Sequence, residues 1–285
     1  MQNWFLLTLM ALFLFGIQRF LYKVSAERNC NTAWTTFAFM GTVTILSTIF
    51  FFSFGQSIHN LRFLLLISLI NSLSFVSGTI ATIEALKYIS TSVAYPLIRL
   101  NTGIVVIFSI WYFGDRLSIF QITGIIIAIT VILILTRLDD GSRVPMKEPR
   151  RAMILVFVAL FSGVIAAISS KFAALNANLL GFMAVSYCIS MIISFFLRKR
   201  IISKGGENSR EALIIGFLIG LINFGGFYFL LHALSSGPLS IIISITGMYF
   251  VIAIIMSVIF YKEKLTPLRI VAISLTAFAI ILMRL

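Results

Sequence analysis

Apolar runs of 17 to 23 residues, separated by short polar turns, follow one another along the whole chain. Crossing a hydrocarbon core of ~30 Å takes about 20 apolar residues in an α-helix. By that ruler the pattern predicts ten membrane-spanning helices, at 4–22, 32–54, 62–83, 91–113, 119–136, 152–170, 178–197, 212–231, 238–260 and 267–283. Several breaks carry physical markers of their own. Trp4, Trp34 and Trp111 fall at span ends, where an amphipathic indole prefers the headgroup layer. Ser118 and Gln121 form a capping box opening the fifth helix, and Thr266-Pro267 places an N-cap and a first-turn proline at the start of the tenth. Only 137–151, with Asp139-Asp140-Gly141, Pro145 and Pro149, and 198–211, with Gly205-Gly206, read as linkers.

Composition narrows the class further. The chain of 285 residues is 60% hydrophobic and 11% charged, with a mean hydropathy of +1.08; soluble domains run at about 45–50% and 25%. A soluble globular domain, a disordered chain and a disulfide-stapled secreted module are excluded. The net charge of +13 sits in short turns rather than on a solvated face, so it reads as membrane orientation, and no nucleic-acid partner is expected. Cys30 in a polar turn and Cys188 in an apolar run give neither a disulfide framework nor metal-ligand spacing. No metal and no cofactor are expected. Val24-Ser25-Ala26 resembles a signal-peptidase site, but residues 1–18 carry no Lys or Arg, so 4–22 is read as the first retained span.

Sliding the sequence against itself reveals a duplication at an offset of 148 residues. Ala11-Leu12-Phe13 falls on Ala159-Leu160-Phe161, Lys23 on Lys171, Gly78 on Gly226, Ala85-Leu86 on Ala233-Leu234, Ser92 on Ser240 and Ser109 on Ser257. Asp115-Arg116-Leu117-Ser118 falls on Glu263-Lys264-Leu265-Thr266. Apolar coincidences are cheap; charged and capping residues matching in one register are not. The expected organisation is a first five-helix unit at 1–137, a linker at 138–148 and a second unit at 149–285. Five is odd, so the second unit enters the membrane upside down. Inverted repeats of this kind build many secondary transporters, with the substrate held near the midplane where the halves meet. A duplication that serves packing alone, as in a channel, is the alternative.

Ten spans in two halves resemble the drug/metabolite transporter superfamily, EamA type. The specific part of the resemblance is a repeated pattern of Ala-Leu, a polar turn, an apolar span, an acidic-basic-Leu-Ser/Thr turn and another span. It stands here as Ala85-Leu86 through Asp115–Ser118 and as Ala233-Leu234 through Glu263–Thr266. The family's Gly-Glu before that turn is Gly114-Asp115 in the first half and Lys262-Glu263 in the second. The resemblance implies a multi-pass transporter in the plasma (inner) membrane that handles a small metabolite, with termini in the cytoplasm. The positive-inside rule points the other way: with the span-end residues Arg62 and Arg269 counted in the loops they adjoin, loops after odd-numbered spans hold 16 of the 22 Lys and Arg and the remaining loops and C-terminus hold 4.

Charged and polar groups inside the spans are the functional candidates, because a charge at mid-bilayer costs a few kcal/mol or more. Arg99 lies eight residues into the fourth span, roughly 12 Å deep at 1.5 Å per residue. Ser92, Tyr95, Arg99, Thr102 and Ser109 share one helical stripe, and Pro96 predicts a kink beside it. Arg99, Tyr95, Thr102, Asn71 and Asn223 are candidate substrate ligands, with an internal ion pair or carbonyl-bonded arginine as the alternative for Arg99. Glu84 and His232 occupy repeat-equivalent span ends and are candidates for gating or proton coupling; a Glu84–Lys87 pair in the headgroup layer is the alternative. Arg19, Lys23 and Lys171 are candidate entrance charges, or else snorkelling anchors. Gly216 and Gly220 form a small-xxx-small packing face.

The expected function is alternating-access transport of a small metabolite with an anionic or zwitterionic group. The cavity is expected between spans three, four, eight and nine, joined by one and six. No nucleotide-binding loop is present, so ion coupling or exchange would drive it. A channel or facilitator is the alternative. A membrane-embedded enzyme fails on inventory, with no catalytic residues, no acid–base cluster and eight of nine acids in loops. Partners are the bilayer, the small-molecule substrate and a coupling ion, with the chain a monomer or homodimer.

Overall fold

A computed structural model describes residues 3–89, 94, 97–137, 148–197, 209–261 and 267–285. Among them nearly every residue is helical and no strand occurs. The helices are α1 (Asn3–Glu27), α2 (Thr32–Ser53), α3 (Leu61–Ala85) and α4 (Asn101–Phe108), which runs on as a π-helical turn, Ser109–Phe113. Then come α5 (Ile119–Arg137), α6 (Pro149–Asn176), α7 (Leu179–Leu197) and α8 (Ser209–Ser236). The ninth is in two pieces, α9a (Leu239–Gly247) and α9b (Tyr249–Tyr261), and α10 (Pro267–Arg284) closes the chain. Seven helical stretches are long and apolar enough to cross a membrane, and shorter apolar helices at Leu97–Phe113, Ile119–Val131 and Ile270–Arg284 fill the other three predicted positions. The molecule is an all-α polytopic membrane protein.

Local chemistry sets the helix starts. The Asn31 side chain accepts from the Ala33 and Trp34 amides to open α2, and Asn60 accepts from the Phe63 amide at 3.0 Å to open α3. The capping box at α5 is reciprocal: the Ser118 amide donates to Gln121 Oε1 at 3.0 Å and the Gln121 amide to Ser118 Oγ at 3.2 Å. Pro267 opens α10; Thr266 lies outside the described residues. Buried hydroxyls donate to carbonyls one turn back in their own helix, as Thr8 does to Trp4 at 2.7 Å and Ser47 to Val43 at 2.6 Å. Each such bond satisfies the hydroxyl within its own helix. Large apolar side chains, Phe52, Ile107 and Trp111 among them, cover the outer surface.

Helices α1, α6 and α8 extend a turn or more past the apolar runs that predicted them, and α3 by two residues. Lys23, Glu84, Lys171 and His232 are therefore helical residues rather than boundary residues. Titratable side chains look like span ends in a hydrophobicity pattern, but here Lys23, Glu84 and Lys171 are buried among protein groups.

Packing interleaves the two halves. Helix α3 packs on α6, α1 on α8, α2 on both α7 and α8, α5 on α10, and α4 on α9a. Exchanging each helix for the one five places away converts the α3–α6 pair into α8–α1 and leaves α2–α7, α5–α10 and α4–α9 unchanged. That is the pairing a two-fold relation between the halves gives. Gly216 and Gly220 of α8 lie directly on α2: a Cβ at Gly216 would stand 2.4 Å from the Thr35 carbonyl oxygen, and one at Gly220 2.5 Å from Thr42 Cβ. Edge-to-face contacts of Phe39 with Phe75 and Tyr187 and of Tyr187 with Phe227, and a tilted Phe75–Phe227 contact, fill the space between α2, α3, α7 and α8.

Candidate functional site

Two helix breaks define the centre of the bundle. Leu100 interrupts the fourth span, with its amide on the Leu97 carbonyl and the Gly103 amide on its own, both at 3.2 Å. Met248, at φ −79° and ψ 6°, separates α9a from α9b. Positions 100 and 248 are related by the 148-residue offset, so the breaks are symmetry mates. They present Arg99 and Asn101 from one half, and Gly247 and Tyr249 from the other, to one point. Close approach there needs a glycine: a Cβ on Gly247 would sit 3.1 Å from Thr102 Oγ1 and 3.8 Å from Arg99 Cδ.

A cavity of about 120 Å³ opens at this point, lined by α1, α3, α6, α8, α9 and the broken fourth span. These are the six spans expected from the sequence. Arg99 Cζ lies 3.9 Å from the centre of the Tyr249 ring, and Arg19 Cζ 4.7 Å from that same ring and 4.8 Å from Tyr22. Tyr249, 2% exposed, thus holds two guanidinium groups by its π-system. Gln18, Asn101, Ser162, Ser170, Asn223 and Thr246 add polar lining, and no carboxylate is among the lining residues described. Most of these groups are already engaged. Ser170 and Thr246 donate to carbonyls of their own helices, at 2.7 Å each. A chain runs from Tyr187 Oη to Asn223 Oδ1 at 2.5 Å, from Asn223 Nδ2 to Gln18 Oε1 at 3.0 Å, and from Gln18 Nε2 to Tyr22 Oη at 2.8 Å. It fixes Asn223 and Gln18 in place and spans both halves.

The other sequence candidates lie elsewhere. Asn71 does not line the cavity. Its Nδ2 lies on the Ala166 carbonyl and the Ser169 and Ser170 hydroxyls at 2.8–3.1 Å, and its Oδ1 accepts from Ser186 at 3.0 Å, which ties α3 to α6 and α7. Thr102 is buried behind the cavity against Gly247. Tyr95, with Ser92 and Pro96, falls outside the described residues. Arg19 sits in the cavity beside Tyr249 rather than at an entrance.

Glu84 pairs with Lys87 at 2.8 Å and accepts from the Thr32 hydroxyl, while Lys87 also donates to Thr32 Oγ1 at 2.9 Å and the Cys30 carbonyl at 3.3 Å. The Glu84–Lys87 pair is thus formed, and it pins the α1–α2 turn to the end of α3. His232 lies edge-on against Tyr228, centroids 4.5 Å apart. The structure does not bring His232 and Glu84 together. Lys171 Nζ donates to the Leu234 and Gly237 carbonyls at 2.7 and 2.9 Å, closing the C-terminal end of α8. Nearby, Asp115 accepts from the Ser240 amide at 2.9 Å, the Ser240 hydroxyl at 2.6 Å and the Ser109 hydroxyl at 2.5 Å. The turn after the fourth span is thereby fastened to the start of α9a. Gly114, at φ +66°, makes that turn possible where a side chain would be strained.

Sequence reasoning missed Gln18, Asn101, Gly163, Gly247 and Tyr249. One signal was available: the repeat register sets Asn101 opposite Tyr249 and Arg99 opposite Gly247, so Arg99's symmetry mate was the position to inspect.

The EamA-like transporter family model matches residues 2–137 and 150–285. The chain belongs to that family and is a multi-pass integral membrane transporter built of two repeats. No curated protein matches the sequence. Among solved structures, one described only as a crystal structure of a protein superposes with a TM-score of 0.72 over 100% of this chain and 99% of its own, at 13% identity. At that identity the likeness speaks for the fold alone.

Proposed function

We propose that this protein is a secondary carrier that moves a small metabolite bearing a carboxylate or phosphate by alternating access. One observation carries the reading: Arg19 and Arg99, one on each of two helices, converge on Tyr249 in a polar cavity whose described lining holds no acid. Lying 4.7 and 3.9 Å from one ring centre, the two guanidinium groups are no more than 8.6 Å apart, so they repel by about 2 kcal/mol or more at an effective dielectric of 20. An anion between them removes that repulsion and gains charge-assisted hydrogen bonds. Repeat-related 3₁₀ turns at Leu100 and Met248 interrupt the α-helical bonding of the fourth and ninth spans and are the pivot points of this reading. With no nucleotide motif in the sequence, energy comes from an ion gradient or from exchange.

The test is a thermal-shift screen of purified protein against carboxylates, phosphates, amines and neutral compounds, followed by uptake into proteoliposomes. Anions are expected to stabilise the protein, and uptake to saturate and to accelerate with substrate preloaded on the far side. Arg99→Ala should raise the half-saturation concentration about tenfold or more, the worth of one charge-assisted hydrogen bond. Stabilisation by amines alone, or unchanged affinity in Arg99→Ala, overturns the anion assignment. Non-saturating flux without preloading effects overturns the carrier.

A further inference from the structure

Beside the two arginines stands an acceptor with nothing to accept. Asn101 is 4% exposed and lines the cavity, and its Oδ1 has no hydrogen-bond partner within the protein. Its other amide atom is wedged against α6, where a Cβ on Gly163 would lie 2.2 Å from Nδ2. The carboxamide is therefore fixed in direction by a glycine that leaves it just enough room. Two residues earlier, Arg99 Nε is likewise buried without a partner. A buried acceptor left unpaired costs about 1–3 kcal/mol, a cost that native proteins rarely carry without a use. Both residues line the cavity, so one unused donor and one unused acceptor lie buried in its wall.

We infer that Asn101 is a specificity-determining residue that reads a neutral hydrogen-bond donor, a hydroxyl or amide N–H, next to the substrate's anionic group. The inference rests on the anion reading above and sharpens it. An ammonium group would satisfy Asn101 equally well in geometry, but it would enter a cavity holding two guanidinium groups and no described carboxylate to balance it. A hydroxyl or amide carries no such penalty. The substrate is then a hydroxy acid, a hydroxyalkyl phosphate or an acylated amino acid in chemical class, rather than a free amino acid. A site built to hydrogen-bond a hydroxyl rejects the analogue lacking it, because its own buried group is left unpaired.

Matched triplets test this with the intact protein in detergent: propionate, lactate and alanine; succinate, malate and aspartate; ethyl phosphate, 2-hydroxyethyl phosphate and phosphoethanolamine. Within at least one triplet the hydroxyl member should bind about tenfold more tightly than the unsubstituted one, and more tightly than the amine. Asn101→Leu, close in volume and free of the orphan, should fold as well as the parent and bring the hydroxyl-to-unsubstituted ratio to about one, while leaving Arg99-dependent binding of the unsubstituted acid in place. Gly163→Ala, which displaces the carboxamide from the other side, should lower the same ratio. If unsubstituted acids bind through Arg99 with no gain from the hydroxyl, or if the gain survives Asn101→Leu, the role of Asn101 is overturned and the anion reading stands. Tightest binding of the amine overturns it also. No stabilisation by any member overturns both.

Discussion

The crossing of α8 on α2 joins one half of the protein to the other, and it yields a prediction with a built-in control. A Cβ added at Gly220 would lie 2.5 Å from Thr42 Cβ and 2.8 Å from the Phe39 carbonyl oxygen; at Gly216 it would lie 2.4 Å from the Thr35 carbonyl oxygen. Both obstacles include backbone, which cannot rotate aside. Non-bonded carbon contacts settle near 3.5–4.0 Å, so alanine forces the two helices apart by about 1 Å along their closest contact. Overpacking of this kind costs about 1–3 kcal/mol, and in a membrane the helices hold together largely by such packing. Alanine recovers up to about 1 kcal/mol through its better helix propensity. The net expectation for Gly220→Ala is a loss of about 1–2 kcal/mol, with Gly216→Ala in the same direction. Gly225, on the same helix, is the control: its added Cβ would meet only the tip of Leu14, at 3.3 Å from Cδ1. Leu14 can yield, so Gly225→Ala should be neutral or stabilising by up to about 1 kcal/mol. Thermal unfolding in mild detergent, followed by tryptophan fluorescence, should rank Gly225→Ala at or above the parent and Gly220→Ala below it. Equal midpoints for the two variants, or the reverse order, would refute the steric argument.

Three further outcomes are expected. Asp115→Ala removes the acceptor of three hydrogen bonds, so it should lower stability by about 2–3 kcal/mol and speed amide exchange at Ser240, with Asp115→Asn intermediate; unchanged exchange at Ser240 would show that the turn is held by something else. Lys87→Met leaves the buried Glu84 carboxylate without its cation and should destabilise by about 3 kcal/mol, and adding Glu84→Gln should recover most of that loss, as denaturation of the single and double variants will show. Burial pushes the Cys30 thiol above the usual cysteine range, so at pH 7 less of it is thiolate and access is closed; intact-mass measurement should find maleimide labelling of Cys30 only after unfolding, or far more slowly than free cysteine, with the rate climbing only as pH rises well past the ordinary thiol range.

The apolar runs alone set the number and order of the helices, because the bilayer imposes one length on anything that crosses it. The 148-residue register, read from Lys23 on Lys171 and Asp115–Ser118 on Glu263–Thr266, set the symmetry, since an odd-membered repeat must invert. Arg99 stood out for the same reason: a charge among apolar residues has few explanations. Other features were hidden in the pattern. Glu84 and Lys171 look like span ends until Thr32 and Lys87 close on the one and the Leu234 and Gly237 carbonyls on the other, contacts that no hydrophobicity pattern records. Asn71 and Asn101 are the same residue type in similar surroundings. Packing gives Asn71 four partners and leaves the Asn101 oxygen none. Arg19 becomes a cavity residue only because Tyr249 arrives from 230 positions away, at a helix break that hydrophobicity does not record. Sequence decides what a segment must do with water and lipid. Which polar groups are left over to meet a substrate is settled only when the segments have chosen one another, because a hydrogen bond satisfied across helices is invisible along any one of them.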